Sequence, residues 1–307
     1  MFSTGIVNYA QIADIESPTG IATYTWKSGD LKPTLWDHFT YQPLRTVSMS
    51  YGNYDNTIFV VTADSMIYCK GSNSYGQLGL GHCDEVNEFV KIDFLDKVID
   101  IKCGCYETFL LTDKGEVWVA GQCSYVLGLG YDLDNSERNL NSVSNFTQLV
   151  FPDDAFITNI AVTYHAIALA SDGKVYVWGS NKYFQLGIDS TTNQSVPMLI
   201  THLRHLNIVK ISAGHNFSVF VDDKSNVLTC GNYMNEEIGS GMTITYENSP
   251  TITLPTRIKF SQKINIKSIT SGDHYVVILT TNNKIYIIGK TFFSCQDLNM
   301  KGSMKPV

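Results

Sequence analysis

An apolar hairpin that closes on a glycine recurs along the chain, its final glycines 50, 58, 52 and 58 residues apart. One strand precedes most copies, and a glycine-rich turn and a further strand follow them. No apolar run holds the 3.6-residue period of a helix for more than about two turns. The composition, with 17 Tyr, 23 Gly and only 8 Pro in 307 residues, suits strands joined by tight turns. Together these observations predict an all-β fold, a β-propeller of four-stranded antiparallel blades.

The hairpins align without gaps. They read DNTIFVVTADSMIYCKG, YETFLLTDKGEVWVAG, YHAIALASDGKVYVWG, NFSVFVDDKSNVLTCG and HYVVILTTNNKIYIIG, and end at Gly71, Gly121, Gly179, Gly231 and Gly289. Seven and six residues before each glycine lie Asp64-Ser65, Lys114-Gly115, Asp172-Gly173, Lys224-Ser225 and Asn282-Asn283. These read as two-residue turns of type I′, for which Asp, Asn and Gly tolerate the positive φ. A β-branched residue follows each turn: Ile67, Val117, Val175, Val227 and Ile285. Apolar pairs precede it: Val60-Val61, Leu110-Leu111, Ala168-Leu169, Phe220-Val221 and Ile278-Leu279. Runs this apolar mark strands covered on both faces. Tyr68, Trp118, Tyr176 and Tyr286 recur at one position and are expected to pack between blades.

The strand before the hairpin reads IDIKCG, NIAVTY, VKISAG or KSITSG. The turns after it read YGQLGLG (75–81), YVLGLG (125–130), YFQLGI (183–188) and EEIGSG (236–241), and EFVKIDF, FTQLVF and SVPMLI supply the fourth strand. The turns are expected to join blades. With no Lys-Ser/Thr after them, they lack the chemistry of a phosphate loop.

The third unit, HAIALASDGKVYVWGSNKYFQLG, and the first, MIYCKGSNSYGQLGLG, resemble the repeat of the regulator of chromosome condensation family. The resemblance runs over roughly residues 5 to 307 in copies of constant order. It implies a single propeller domain, residues 1–307. A weaker upstream copy, GIATYTWKS, has Lys27 in place of the glycine. Family propellers usually have seven blades; six units are countable here. Six blades are expected, and a divergent seventh in residues 1–46 or a truncated ring are the alternatives. The tail GSMKPV resembles the outer strand in SVPMLI, so the chain is expected to stop at the end of a repeat. His165 alone occupies the family's His position, where Thr57, Glu107, Phe217 and Tyr275 stand in the other copies.

The net charge of −7 and the thinly spread 22 basic residues exclude a general nucleic-acid binder, which needs clustered Lys and Arg. No run of 18 apolar residues, basic-then-apolar leader or terminal prenylation Cys is seen, so an intracellular, cytoplasmic chain without a membrane segment is expected. The seven Cys hold no C-x-x-C pair and read as free thiols in a reducing compartment. No nucleophile elbow, H-E-x-x-H, P-loop or dinucleotide fingerprint occurs, and no cofactor or metal is expected. His202 and His205, spaced i, i+3, read as residues of a surface connection rather than a metal pair.

A propeller gathers the loops between first and second strands onto one face around its axis. Those loops are GNYDN (52–56), GCYE (104–107), TYH (163–165), GHNF (214–217) and GDH (272–274). They make Tyr54, Asp55, Tyr106, Glu107, Tyr164, His165, His215, Asn216, Asp273 and His274 the candidate partner-binding residues. Polar and aromatic groups on rigidly mounted loops suit a protein-binding surface; the competing role is to tie down strand ends.

In the nuclear exchange factor that names the family, this face engages the Ran GTPase. The resemblance therefore implies a protein-interaction propeller, a guanine-nucleotide exchange factor or regulator of a small Ran- or Rab-type GTPase. The alternative is a non-catalytic scaffold or effector that binds a protein through the same face. Small single-propeller relatives also serve intracellular bacteria as effectors, which would place such a chain in a host cytosol. The segments 131–145 and 242–250 are the candidates for a protruding specificity element, and a monomer is expected.

Overall fold

The computed structural model describes residues 44–51, 56–62, 65–131, 142–232, 251–258, 260 and 264–289. Within them five antiparallel sheets follow one another along the chain, each with its strands in chain order. Blade 1 holds β1 (Leu44–Tyr51), β2 (Asn56–Thr62), β3 (Ile67–Gly71) and β4 (Val86–Ile92). Blade 2 holds β5 (Val98–Cys103), β6 (Glu107–Thr112), β7 (Val117–Gln122) and β8 (Ser142–Leu149). Blade 3 holds β9 (Ile157–Val162), β10 (His165–Ala170), β11 (Val175–Gly179) and β12 (Gln194–Leu199). Blade 4 holds β13 (Ile208–Ala213), β14 (Phe217–Asp222), β15 (Val227–Asn232) and β16 (Thr251–Arg257), and blade 5 holds β17 (Ile266–Ser271), β18 (Tyr275–Thr280) and β19 (Ile285–Gly289).

The first strands contact each other: β5 packs against β1 and β9, and β13 against β9 and β17. They are the inner strands, so the sheets are blades of a β-propeller. The weaker upstream copy on which the count of six rests, residues 20–28, lies outside the described residues, as do the tail and the segments 132–141 and 242–250.

The core lies between blades rather than within them. One cluster joins blades 1 and 2 through Phe59, Cys69, Ile101 and Leu110. The next joins blades 2 and 3 through Phe109, Leu127, Ile160 and Trp178. Ile167, Leu186, Ile211 and Phe220 join blades 3 and 4, and Val219, Val227, Ile266 and Ile278 join blades 4 and 5. Every position of β6, β10 and β14 is buried, because each second strand is covered on both faces. The recurrent aromatic position behaves unevenly: Tyr176 and Tyr286 are buried, whereas Tyr68 and Trp118 are half-buried. Trp178 is the largest fully buried side chain among the described residues, and its Nε1–H donates to the Val126 carbonyl of blade 2 at 2.7 Å.

The hairpin turns differ from expectation. Positive φ occurs at the second residue of each pair, Ser65, Gly115, Gly173, Ser225 and Asn283, and at none of the described first residues. Each loop holds three residues. Gly115 N–H donates to the Thr112 carbonyl, and Thr112 N–H then donates to the Glu116 carbonyl; the other four hairpins repeat the pattern. This is a β-turn followed by one left-handed bulge residue, not the two-residue type I′ turn. The side chain at its start helps close it: Oγ1 of Thr62, Thr112 and Thr280 and Oδ1 of Asp222 each accept from the N–H four residues on.

The glycine-rich turns seat on the next blade. Gly81 N–H donates to Ser144 on β8, and Gly130 N–H to Ser195 on β12, both at 2.8 Å. Buried Asn73 and Asn181 shape two of these turns. Their Oδ1 atoms accept from Leu78 N–H at 2.9 Å and Leu186 N–H at 3.0 Å.

Candidate functional site

The closing glycines position the loop face. At Gly121 and Gly231 φ is 132° and 113°, and a Cβ would come within 2.2 Å of the Tyr106 carbonyl and 2.3 Å of the Asn216 carbonyl. Without a side chain there, each loop carbonyl reaches the next residue of the third strand. Tyr106 accepts from Gln122 N–H at 3.0 Å, Tyr164 from Ser180 N–H at 3.0 Å, and Asn216 from Asn232 N–H at 2.9 Å. A repeat-wide backbone requirement thus sets where the candidate side chains stand.

Two candidates turn inward. Glu107, 5% exposed, accepts from Ser124 Oγ at 2.5 Å and from Tyr106 N–H at 3.1 Å. Burial raises its carboxyl above the usual range, against the lowering effect of those two hydrogen bonds. His165 is fully buried at the seam of blades 3 and 4. Its Nε2 lies 2.8 Å from Ser218 Oγ, and Ser218 Oγ lies 2.5 Å from the Gln185 carbonyl. Thr163 Oγ1 donates to the Gly214 carbonyl at 2.8 Å and stands 3.3 Å from His165 Nδ1. The Ser218 hydroxyl proton goes to Gln185, so Nε2–H is the donor to Ser218 and His165 is the neutral Nε2–H tautomer. Burial, then His215, lowers the imidazole to about 3. Both residues tie loops and blades together.

The outward candidates form an arc. The Tyr75 and Tyr106 rings lie 4.8 Å apart. Tyr164, 41% exposed, stands 4.5 Å from the His215 ring at 37°. His215 in turn stacks on His274 at 5.9 Å and 16°. His215 N–H donates to the Asp273 carbonyl at 3.4 Å. Loops of blades 2, 3, 4 and 5 thus bring Tyr106, Tyr164, His215 and Asp273-His274 together. Asn216 is half-buried beside His215. Tyr54 and Asp55 lie outside the described residues.

Burial dominates the electrostatics of the arc. It raises the Asp273 carboxyl, while His215 and His274 pull it down. It lowers the His215 imidazole, against Asp273 and in concert with His274. Burial first, then the hydrogen-bonded Cys105 thiol, brings the Tyr164 phenol up to about 12. Tyr75 and Cys105 were not among the sequence candidates. Tyr75 belongs to the turn after β3, which ends on the same face as the first loops. Cys105 was readable only as one thiol among seven.

Among the described residues no group of three His, Cys, Asp or Glu could hold a metal ion. His202 and His205 are exposed on the connection between blades 3 and 4. No helix of the described residues is long and apolar enough to cross a membrane.

The described sheets and their side-by-side inner strands define a repeat β-propeller. Residues 64–111 and 172–221 match the model of the regulator of chromosome condensation (RCC1) repeat. Those two stretches are repeats of that family. Each match runs from one hairpin turn to the second strand of the next blade, so a repeat straddles two blades and links them covalently.

The ultraviolet-B receptor UVR8 of Arabidopsis thaliana is 31% identical over 190 residues, 60% of this chain and 41% of that protein. The RCC1-like G exchanging factor-like protein of Mus musculus is 26% identical over 249 residues, 77% of this chain and 52% of that protein. The chain therefore spans about half or less of these relatives. The structure of yeast RCC1 (Prp20) bound to Kap60 matches with a TM-score of 0.67 at 18% identity, over 88% of this chain and 64% of that one. That likeness carries the fold alone.

Proposed function

We propose that the chain is a protein-interaction propeller that engages a small GTPase through the loop face and accelerates release of its guanine nucleotide. On this reading residues 1–307 are one propeller domain acting inside a cell, its own or a host's. The observation that carries the reading is the arc of Tyr106, Tyr164, His215, Asp273 and His274, gathered from four blades on a rigid scaffold. A relative named as a G exchanging factor-like protein supports the choice of partner. Exchange needs no covalent chemistry: side chains that bind the nucleotide-free GTPase more tightly than the loaded form shift its population. The second reading, a scaffold without exchange activity, draws on a relative named as a receptor. Release of a fluorescent nucleotide from a panel of small GTPases separates the two. Faster release in at least one member supports exchange; binding in pull-down with unchanged release supports the scaffold.

A further inference from the structure

We propose that the loop face carries a docking site for an arginine side chain of a protein partner, with Tyr164 and His215 as its stacking surface and Asp273 as its countercharge. The inference rests on the reading of this face as a protein-binding surface and adds what part of the partner it takes.

Three observations decide the sign and shape of the guest. First, among the described residues the arc holds one carboxylate, and the charged groups acting on it are His215 and His274; no described Lys or Arg contributes. Burial disfavours its charged form, and burial together with His274 disfavours the charged form of His215. A half-buried carboxylate of this kind gains most from an incoming cation that stays charged when desolvated, which a guanidinium does. Second, Asp273 sits among aromatic rings, its backbone carbonyl accepting from His215 N–H at 3.4 Å. Tyr164 leans on His215 at 4.5 Å, and His215 stacks on His274 at 5.9 Å. A planar guanidinium stacks on such a surface and a compact ammonium does so less well. Third, the net charge of −7 draws basic partners to the molecule. An anionic guest would meet the Asp273 carboxylate with no Lys or Arg among the described residues acting there, and a metal ion would lack a third ligand among the described residues.

The test is an NMR titration of the full chain with an acetyl-Gly-Arg-Gly-amide peptide. The imidazole protons of His215 and His274 are assigned by His215→Gln and His274→Gln. The arginine peptide is expected to shift both resonances saturably. A peptide with citrulline in place of arginine, equal in shape and without charge, is expected to leave them in place. Asp273→Asn should weaken binding roughly tenfold, the weight of one hydrogen bond to a charged group. Tyr164→Ala should weaken it and Tyr164→Phe should not. Equal response to citrulline, or wild-type binding by Asp273→Asn, would overturn the proposal. Circular dichroism confirms that each variant is folded. If arginine binding holds while no GTPase binds, the functional reading fails and this one stands. The reverse outcome overturns this one alone.

Discussion

His165 shows how a single residue couples the seam of two blades to solution pH. The folded protein titrates it at about 3, whereas an unfolded chain titrates His near 6.5. Between those values the unfolded state binds more protons, so the stability His165 contributes is present above about pH 6.5 and lost as pH falls towards 3. The slope approaches about 1.4 kcal/mol per pH unit for one proton. Urea titrations at pH 7, 6 and 5 should show this loss in the wild type and a flatter dependence in His165→Gln. Glu107 acts with the opposite sign. Burial raises its folded titration, so its contribution is present in acid and lost as pH rises through the folded value. Glu107→Gln keeps the shape that meets Ser124 and Tyr106 and removes the buried charge, so it should raise stability at pH 7 and leave it unchanged near pH 4. Ser218→Ala should cost about 1–3 kcal/mol in the same urea assay, because it strips the buried His165 Nε2–H of its acceptor. The seam of blades 1 and 2 shows the contrast: Thr57 takes the His position there, and Thr108 Oγ1 has no hydrogen-bond partner among the described residues.

The hairpin and its closing glycine form the unit that carries both fold and site. A Cβ at Gly231 would press on the Asn216 carbonyl and the Phe217 Cα, both backbone atoms that cannot give way cheaply. Gly231→Ala should therefore cost about 2 kcal/mol or more and move the loop that carries His215. Thermal unfolding reads the first effect and the His215 imidazole resonance the second. The strands of this unit were legible in the sequence, because apolar runs aligned on a glycine leave little choice of register. The turns were legible only in part. A Gly, Ser or Asn after Lys, Asp or Asn satisfies both the two-residue and the three-residue loop, and only the hydrogen bond of Thr112 with Glu116 separates them. The candidate site divided for a related reason. His165 and Phe217 open second strands and point between blades, whereas Tyr164 and His215, one and two residues earlier, stay on the surface. Loop composition does not encode that alternation. Tyr75 entered the arc from a neighbouring turn that no spacing rule connects to Tyr106.

At the scale of the molecule, burial between blades makes the propeller a rigid mount. Residues far apart in sequence, such as Tyr106 and His274, share one surface because β5, β9, β13 and β17 meet side by side. The low share of charged residues, 17% against about 25% in ordinary chains, follows from second strands covered on both faces. The charge that remains is acidic, which directs the surface towards basic partners. The central claim is that this mounted arc is the working surface, and paired exchange assays test it most directly. Release of a fluorescent nucleotide from the responsive GTPase is measured with the wild type and with Asp273→Ala combined with His274→Ala, at equal folded concentration. The account predicts a rate reduced at least about tenfold in the double variant, with an unfolding midpoint close to the wild type. Equal rates from the two proteins would contradict it.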